Sequence, residues 1–284
     1  MNLFDNLVQT ALSANKELSS MRPVVEKEIM HHDILREMNK AGFLRNLTFM
    51  GGTCLRLCYG GVRLSEDLDF TGGFDFHKRD LTELGKILKE SFKKKYDFAL
   101  EVSEPEKEDV DVHTWKIKIS ARQEKRNMPL QRINLDISLL PSYERRAAVL
   151  KNYYGIDSGS QGIILFAESL NEIFADKIIA FALRLNRIKN RDLWDIAWLN
   201  EKNITLDEKL LKLKLKDRKI TLKYFFIEYE RRVSRIKTSQ NDFLKEMARF
   251  LAPQVLDGNI KTELWWDYLL NLLTDIKKSI AESL

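Results

Sequence analysis

Two aspartates separated by a single residue give the clearest chemical signal in this sequence. Asp67 and Asp69 lie in the segment 67–71, DLDFT, whose alternation of polar and apolar residues predicts a β-strand. On a strand, side chains two residues apart point to the same face and lie about 6–7 Å apart. Carboxylates this close repel each other unless a cation lies between them. The pair therefore predicts a site for Mg²⁺, a hard ion that binds oxygen and shares phosphate ligands, with Mn²⁺ as the alternative ion.

A pair of glycines precedes this strand and indicates where phosphate would bind. Gly51 and Gly52 follow the predicted strand 47–50, and Thr53 is predicted to cap the short helix that comes next. Glycines leave the strand end without side chains, so a triphosphate can approach the backbone and the free N–H groups at the helix start. Ser65 could contact the same phosphates or stabilise its own turn, and the sequence leaves both roles open.

Asp136 is the natural third carboxylate of such a site. It lies in the predicted strand 132–139, where apolar residues that should face a core alternate with polar ones. The alternative is that Asp136 simply belongs to the solvated face of a sheet. If this strand neighbours the one that carries Asp67 and Asp69, the three carboxylates form a metal triad.

The cysteines and histidines indicate no further site. Cys54 and Cys58 are four residues apart with no histidine nearby, so they are interpreted as small buried side chains and not as a disulfide or a zinc site. The four histidines do not cluster by spacing. No Ser-His-Asp or Cys-His arrangement is evident.

The elements that must position these residues form a helical start, a mixed middle and a helical end. Helices are predicted over the first 42 residues, with Pro23 near the start of the second helix and Gly42 as its stop. The middle adds a predicted helix over 80–95 and predicted strands over 98–102, 114–120 and 163–166. From about residue 169, four to six helices are predicted, although the Leu–Lys alternation at 211–216 also fits a strand. This order predicts an α+β fold with two domains: 1–165, and a helical domain over 166–284.

The composition is that of a soluble globular protein. The 284 residues are 44% hydrophobic and 31% charged, and no apolar run approaches the roughly 18 residues that span a bilayer. The start lacks the basic head and apolar middle of a secretory signal, so a cytoplasmic protein with no membrane partner is expected. The net charge is only +5, but residues 209–237 hold eleven Lys or Arg and three Asp or Glu. This stretch is either a surface for a polyanion or the solvated face of helices.

Four segments together resemble the motifs of a known enzyme family. They are GGTCLRL at 51–57, RLSEDLDF at 63–70, DKIIAFALR at 176–184 and RDLWDI at 191–196. In order and spacing they are similar to the AbiEii/AbiGii nucleotidyltransferase toxins, a group that includes the MenT tRNA-modifying toxins. The chain departs from the family pattern at Cys54, where Ala or Ser is usual, and at Asp176, where Glu is frequent. Neither departure removes a charge that the chemistry needs.

The resemblance implies a DNA polymerase β-like nucleotidyltransferase fold followed by a helical C-terminal part. It implies Asp67 and Asp69 as catalytic metal ligands, Lys177 as the essential lysine of the third motif and Asp195 as the essential aspartate of the fourth. The residues expected to bind the nucleotide are Gly51, Gly52, Thr53, Arg56, Ser65 and Lys177.

The spacing of these charged residues also allows purely structural roles. Lys177 could pair with Glu172 or Asp176 on its own helix, and Asp192 could cap the helix that it begins. Arg56, like Arg63 and Arg184, could pair with a nearby carboxylate instead of a phosphate.

The predicted function is that of a Mg²⁺-dependent nucleotidyltransferase toxin from a toxin–antitoxin or phage-defence pair. It would transfer a nucleotide from an NTP to a nucleic-acid 3′ end, with tRNA as the expected acceptor, and release pyrophosphate. A cognate antitoxin protein is the partner that the resemblance implies. The alternatives are transfer to a small-molecule or protein hydroxyl, and a catalytically inactive NTP-binding module.

Overall fold

The chain folds into two compact units, Met1–Glu168 and Ser169–Leu284. The computed structural model describes residues 2–107, 110–120, 131–185 and 187–282, apart from the side chain of residue 259. The first unit combines helices with a central sheet, and the described part of the second is helical. The predicted α+β class is therefore confirmed.

A seven-stranded mixed sheet forms the centre of the first unit, in the spatial order β3-β4-β5-β2-β1-β7-β6. Its strands are β1 (Thr48–Met50), β2 (Leu68–Thr71), β3 (Ala99–Ser103), β4 (Val112–Ser120), β5 (Gln131–Ser138), β6 (Arg145–Val149) and β7 (Ile164–Glu168). β2 runs parallel to β5 and β1 parallel to β7, while the other neighbouring pairs are antiparallel. The edge strand β6 was not predicted, because its sequence RRAAV shows no alternation of polar and apolar residues.

The helices of the first unit lie close to their predicted positions. They are α1 (Leu3–Ala14), α2 (Arg22–Lys40), α3 (Gly51–Tyr59) and α4 (Leu84–Tyr96), with 3₁₀ turns at Lys16–Met21, Phe43–Arg45 and Lys78–Leu81. Pro23 lies in the first turn of α2, and Gly42 lies just beyond its end with φ 80°. The predicted start of α4 at residue 80 was too early, because a separate 3₁₀ turn occupies that position.

Within its described residues, the second unit contains six helices of eight or more residues, which agrees with the predicted four to six. They are α5 (Leu170–Leu183), α6 (Asn190–Glu201), α7 (Glu208–Asp217), α8 (Leu222–Ile236), α9 (Gln240–Met247) and α11 (Glu263–Glu282); a short α10 (Pro253–Val255) leads into a π turn at Leu256–Ile260. The alternating segment 211–216 lies in α7, so the strand alternative was wrong. Among the described residues, every helix is too short or too polar to span a lipid bilayer.

Alternating burial along the strands decides which side chains face the candidate site. Leu68 on β2 and Leu135 and Ile137 on β5 are completely buried. Because successive side chains on a strand point to opposite faces, Asp69 and Asp136 point away from this apolar face. A register shift of one residue would bury the carboxylates and expose the apolar residues, so core packing fixes where the aspartates point.

Candidate active site

Three aspartates of the first unit lie on or next to two neighbouring strands at the centre of the sheet. Asp69 on β2 is the register partner of Asp136 on the neighbouring parallel strand β5, and adjacent strands lie about 4.8 Å apart. Asp67 immediately precedes β2, which begins at Leu68, one residue later than the alternation suggests. The structure thus places Asp136 beside the aspartate pair, as the sequence analysis required for a triad.

Two of these carboxylates accept a hydrogen bond from a neighbouring strand. The Asn134 backbone N–H on β5 donates to Asp67 Oδ1 over 3.1 Å, and the Thr114 hydroxyl on β4 donates to Asp136 Oδ1 over 2.6 Å. All three aspartates are partly exposed. Among the residues that the structure describes, no three His, Cys, Asp or Glu side chains are grouped closely enough to hold a metal ion with their present orientations.

Two charged side chains approach Gly51 and Gly52 so closely that a residue with a side chain would not fit at either position. Gly51 has φ +74°, and a Cβ at this position would lie 2.5 Å from Asp69 Oδ2. A Cβ at Gly52 would lie 2.2 Å from an Arg63 guanidinium nitrogen and 3.2 Å from the Ser65 hydroxyl oxygen. The absence of side chains therefore brings Asp69, Arg63 and Ser65 against the first turn of α3, a requirement that sequence analysis did not anticipate.

Thr53 does not cap α3 in the predicted way. The helix begins at Gly51, with Met50 as the preceding extended residue, so Thr53 lies inside its first turn. Its hydroxyl donates a hydrogen bond to the Asp67 carbonyl oxygen. Thr53 therefore connects the first turn of α3 to the residue that carries the first carboxylate.

Arg56 has the structural role that its spacing left open. Arg56 is 8% exposed, and its Nε lies 3.4 Å from the Glu28 carboxylate. A second guanidinium nitrogen donates to the Gly61 carbonyl oxygen over 3.1 Å. The guanidinium also lies 4.5 Å from the centroid of the Tyr153 ring. The contact with Glu28 connects the last turn of α3 to α2. The side chains of Cys54 and Cys58 are buried, as predicted.

A second charged cluster lies within the second unit, between α5 and α6. Lys177 Nζ lies 2.8 Å from Asp192 and 2.7 Å from Asp195, and Arg184 lies 2.9 Å from Asp192. Burial alone would raise the pKa of the Asp192 carboxyl, but the charges of Lys177 and Arg184 outweigh it and hold that pKa below its ordinary value. Lys177 is thus held against Asp195, the other residue that the resemblance implies as essential.

This cluster bears on two alternatives drawn from spacing. Asp192 does not cap α6, because Lys189 occupies the cap position and the Asp192 carboxylate pairs with cations. The Lys177 ammonium reaches across to Asp192 and Asp195 on α6, so its ion pairs are not confined to its own helix. The carboxylates of Glu172 and Asp176 contact Lys214, at 2.8 Å and 2.7 Å.

Asp192 and Lys214 are charged residues whose importance the sequence analysis missed. Asp192 lies three residues before Asp195, so both fall on one helix face; this spacing was a usable signal. Lys214 was counted with a basic surface, yet its side chain is only 3% exposed. The Leu–Lys alternation at 211–216 does not show that this segment is a helix with Lys214 on its buried side.

Comparison with known proteins gives the chain a family. A family model described as nucleotidyl transferase AbiEii toxin, type IV TA system, matches residues 33–269. No curated protein sequence matches the chain.

Two solved structures are similar in fold. The MenT4 nucleotidyltransferase toxin of Mycobacterium tuberculosis aligns with a TM-score of 0.55 at 14% identity, over 99% of this chain and 94% of its own. A putative nucleotidyltransferase from Helicobacter pylori aligns with a TM-score of 0.50 at 18% identity, over 90% of this chain and 93% of its own. The likeness therefore covers both units and reaches the helical end, where no motif was recognised.

Proposed function

Because this chain belongs to the AbiEii family of nucleotidyltransferase toxins, we propose that it transfers a nucleotide from an NTP to the 3′-hydroxyl of a nucleic acid, with tRNA as the acceptor. The nucleotidyltransferase class and the toxin–antitoxin context follow from the family. Mg²⁺ as the ion, the NTP as donor and tRNA as acceptor are the parts proposed for this chain.

The observation that carries the proposal is the register of Asp69 with Asp136, next to Asp67. These oxygens are the hard donors that a divalent ion prefers. A carboxylate has about four acceptor positions, so Asp67 can keep its bond to Asn134 and still offer oxygen to a cation. Mg²⁺ held by Asp67, Asp69 and Asp136 would lower the pKa of the attacking hydroxyl and neutralise the triphosphate.

The first turn of α3 is the proposed phosphate-binding element. The first backbone N–H groups of a helix have no acceptor within the helix itself, and together with the positive end of the helix dipole they favour an anion. Gly51 and Gly52 give access to this turn, with Ser65 and the Arg63 guanidinium alongside. In this proposal Thr53 acts by holding the Asp67 backbone, and Arg56 by holding α3 to α2.

Lys177 and Asp195 are proposed to act as an ion pair. Lys177 supplies the positive charge that stabilises the leaving pyrophosphate. Asp195, at 2.7 Å, holds the ammonium in place, and Asp192 provides a second contact. The pairing supports the essential roles that the resemblance gives to these residues.

An exposed basic surface favours a nucleic-acid acceptor. Within 209–237, Lys214 and Arg232 are buried, whereas eight Lys or Arg side chains are exposed: Lys209, Lys212, Lys216, Lys219, Lys223, Arg231, Arg235 and Lys237. Five of these eight lie on α7, between α7 and α8, or in the first turn of α8, where Tyr224 is 51% exposed. Cations beside an exposed aromatic ring suit a backbone of phosphates and bases.

Transfer is tested by incubating the protein with Mg²⁺, each NTP labelled at the α-phosphate in turn, and total tRNA. Label is expected at tRNA 3′ ends with one preferred nucleotide. Asp69→Asn should abolish it because the variant loses a charged metal ligand. Asp75→Asn, which changes an exposed aspartate outside the sheet, is the matched control and should transfer normally.

Any other outcome would change either the proposed function or the proposed mechanism. Label on a protein or a small molecule, with none on RNA, would replace the acceptor in the proposal. Mg²⁺-dependent NTP binding with no transfer to any acceptor would indicate the inactive module. Equal transfer by Asp69→Asn and wild type would remove the carboxylates from the mechanism.

A further inference from the structure

Residues 65–66, which lead into β2, are contacted by three side chains from residues 27–31 of α2. Lys27 Nζ lies 2.9 Å from the Glu66 carboxylate. Glu28 Oε1 accepts the Ser65 backbone N–H over 3.4 Å, and His31 Nε2 lies 3.0 Å from the Glu66 carbonyl oxygen. Three side chains of α2 thus contact the two residues immediately before Asp67.

These α2 residues cannot swing freely, because most of them are enclosed. Glu28 and His31 are completely buried, and the Lys27 side chain is 15% exposed. Glu28 is held in turn by the Tyr154 hydroxyl and by Arg56. The contacts therefore connect the segment 65–66 to a buried, hydrogen-bonded part of the core.

The His31 imidazole has a defined chemical form. A carbonyl oxygen only accepts hydrogen bonds, so His31 Nε2 must carry the proton that it donates to Glu66. Burial lowers the pKa of His31 to about 3, which keeps the ring neutral. Within the described residues, its buried Nδ1 has no hydrogen-bond partner. The hydrogen bond of this ring is thus directed at the backbone next to Asp67.

We propose that His31 is a positioning residue for the carboxylate site: its hydrogen bond to the Glu66 carbonyl fixes the backbone from which Asp67 and Asp69 project. This inference rests on the proposed function, because it assigns His31 an effect on metal binding. Groups that orient metal ligands typically change metal affinity by 10–100-fold when they are removed. His31 does not itself touch metal or substrate.

The next residue on α2 provides a matched control. His32 is 1% exposed, and burial lowers its pKa to about 4. Its Nδ1 lies 2.8 Å from the Ser160 hydroxyl, so its hydrogen bond goes to a different part of the core. Replacing His32 therefore removes a comparable buried imidazole without removing the contact to Glu66.

The test compares His31→Ala, His31→Gln and His32→Ala in the full-length protein. Three quantities are measured: hydrogen–deuterium exchange of the peptide 62–71, Mn²⁺ affinity by electron paramagnetic resonance, and the Mg²⁺ concentration that half-saturates transfer. His31→Ala should exchange faster in 62–71 and bind Mn²⁺ about 10–100-fold more weakly, with a parallel rise in the Mg²⁺ requirement. His31→Gln, whose amide can donate to the same carbonyl, should recover most of the affinity. His32→Ala should lower the melting temperature but leave Mn²⁺ affinity and the exchange of 62–71 unchanged.

The outcomes separate this inference from the proposed function. If His31→Ala and His32→Ala change Mn²⁺ affinity equally, or if neither changes it, His31 has no positioning role. A wild-type protein that transfers nucleotides but binds no Mn²⁺ would overturn the inference and leave transferase activity intact. Selective loss of Mn²⁺ affinity in His31→Ala, with no transfer by wild type to any acceptor, would support positioning and refute the proposed function.

Discussion

At the scale of single residues, Gly51 and Asp69 depend on each other. The backbone of Gly51 has φ +74°, and any side chain there would lie within 2.5 Å of an Asp69 oxygen. We expect Gly51→Ala to cost about 1–2 kcal/mol for the left-handed backbone alone and to displace the Asp69 carboxylate. Nucleotide transfer should therefore be lost, as measured with labelled NTP.

Gly162→Ala is the control for this substitution. Gly162 has nearly the same backbone angle, φ +75°, but nothing lies within 4 Å of the position that an added methyl group would occupy. Because the backbone strain is similar, the free energy of unfolding of Gly162→Ala should fall by a similar amount, while nucleotide transfer persists. Equal activity of the two variants in the folded fraction would show that Asp69 tolerates the displacement.

Lys177 and Lys214 form a natural pair for separating catalysis from stability. The side chains of Lys177 and Lys214 are 12% and 3% exposed, and each contacts two carboxylates of the second unit. Removing one partner of a buried ion pair typically costs about 3–5 kcal/mol, because the remaining charges lose their compensation. Lys177→Met and Lys214→Met should both lower the urea midpoint.

Only Lys177→Met is expected to abolish transfer under conditions where both variants remain folded. Circular dichroism at the assay temperature establishes that condition, and labelled-nucleotide transfer is then compared. If Lys214→Met is as inactive as Lys177→Met, the ion pair of Lys177 has a structural role and the proposed contribution to pyrophosphate release is refuted.

At the scale of elements, α2 makes stability depend on pH. Burial lowers the pKa values of His31 and His32 to about 3 and about 4, from 6.5 in the unfolded chain. Between pH 6.5 and 4 the unfolded state binds more protons, so the contribution of these residues is fully present above pH 6.5 and falls as the pH drops. Each histidine adds a slope of at most about 1.4 kcal/mol per pH unit.

Urea denaturation at about pH 7, 6 and 5.5 checks this expectation, in a range where most carboxylates stay ionised. Wild type should lose stability on acidification, and the double variant His31→Gln, His32→Gln should lose less. Gln does not titrate, so the difference between the two proteins isolates the histidines. Identical pH dependence would mean that the imidazoles are accessible to protons in the folded state.

Local patterns predicted most elements, but failed where long-range contacts decide. Pro23, Gly42 and the alternation at Trp115–Ile119 gave α2 and β4 close to their observed bounds. The segment 211–216 alternates like a strand, yet it forms α7, since Leu211 and Leu215 on one helical face are buried in a helical unit. Short-range periodicity could not settle this, because tertiary burial overrides local propensity.

In the candidate site, likewise, local sequence patterns predict the geometry of neighbouring residues but not the contacts between distant segments. Asp67 and Asp69 are close in sequence, so their geometry follows from strand periodicity. The register of Asp69 with Asp136 joins residues 67 positions apart and depends on which strands become neighbours. The close approach of Asp69 to Gly51 and the His31 contact to Glu66 are likewise products of the folded core.

At the scale of the whole molecule, the distribution of charge matters more than the net charge of +5. Exposed lysines are concentrated along α7 and towards α8, whereas Lys214 and Arg232 in the same stretch are buried. A protein that contacts phosphates releases counterions, so the logarithm of affinity falls linearly with the logarithm of salt concentration. The slope is about 0.7 per contact for a single strand and about 0.9 for a duplex.

The salt dependence of acceptor binding therefore tests whether this surface holds a nucleic acid. The variant Lys212→Ala, Lys216→Ala removes two exposed charges from α7, and should lower the slope for tRNA by about 1.4–1.8 if both contact phosphate. The KM for the NTP should not change, because the acceptor alone loses contacts. The control Lys89→Ala, Lys94→Ala removes two exposed lysines from α4 in the first unit and should leave both quantities unchanged. Equal slopes in all three proteins would mean that the basic residues of α7 are solvated and that the acceptor is held elsewhere or is not a polyanion.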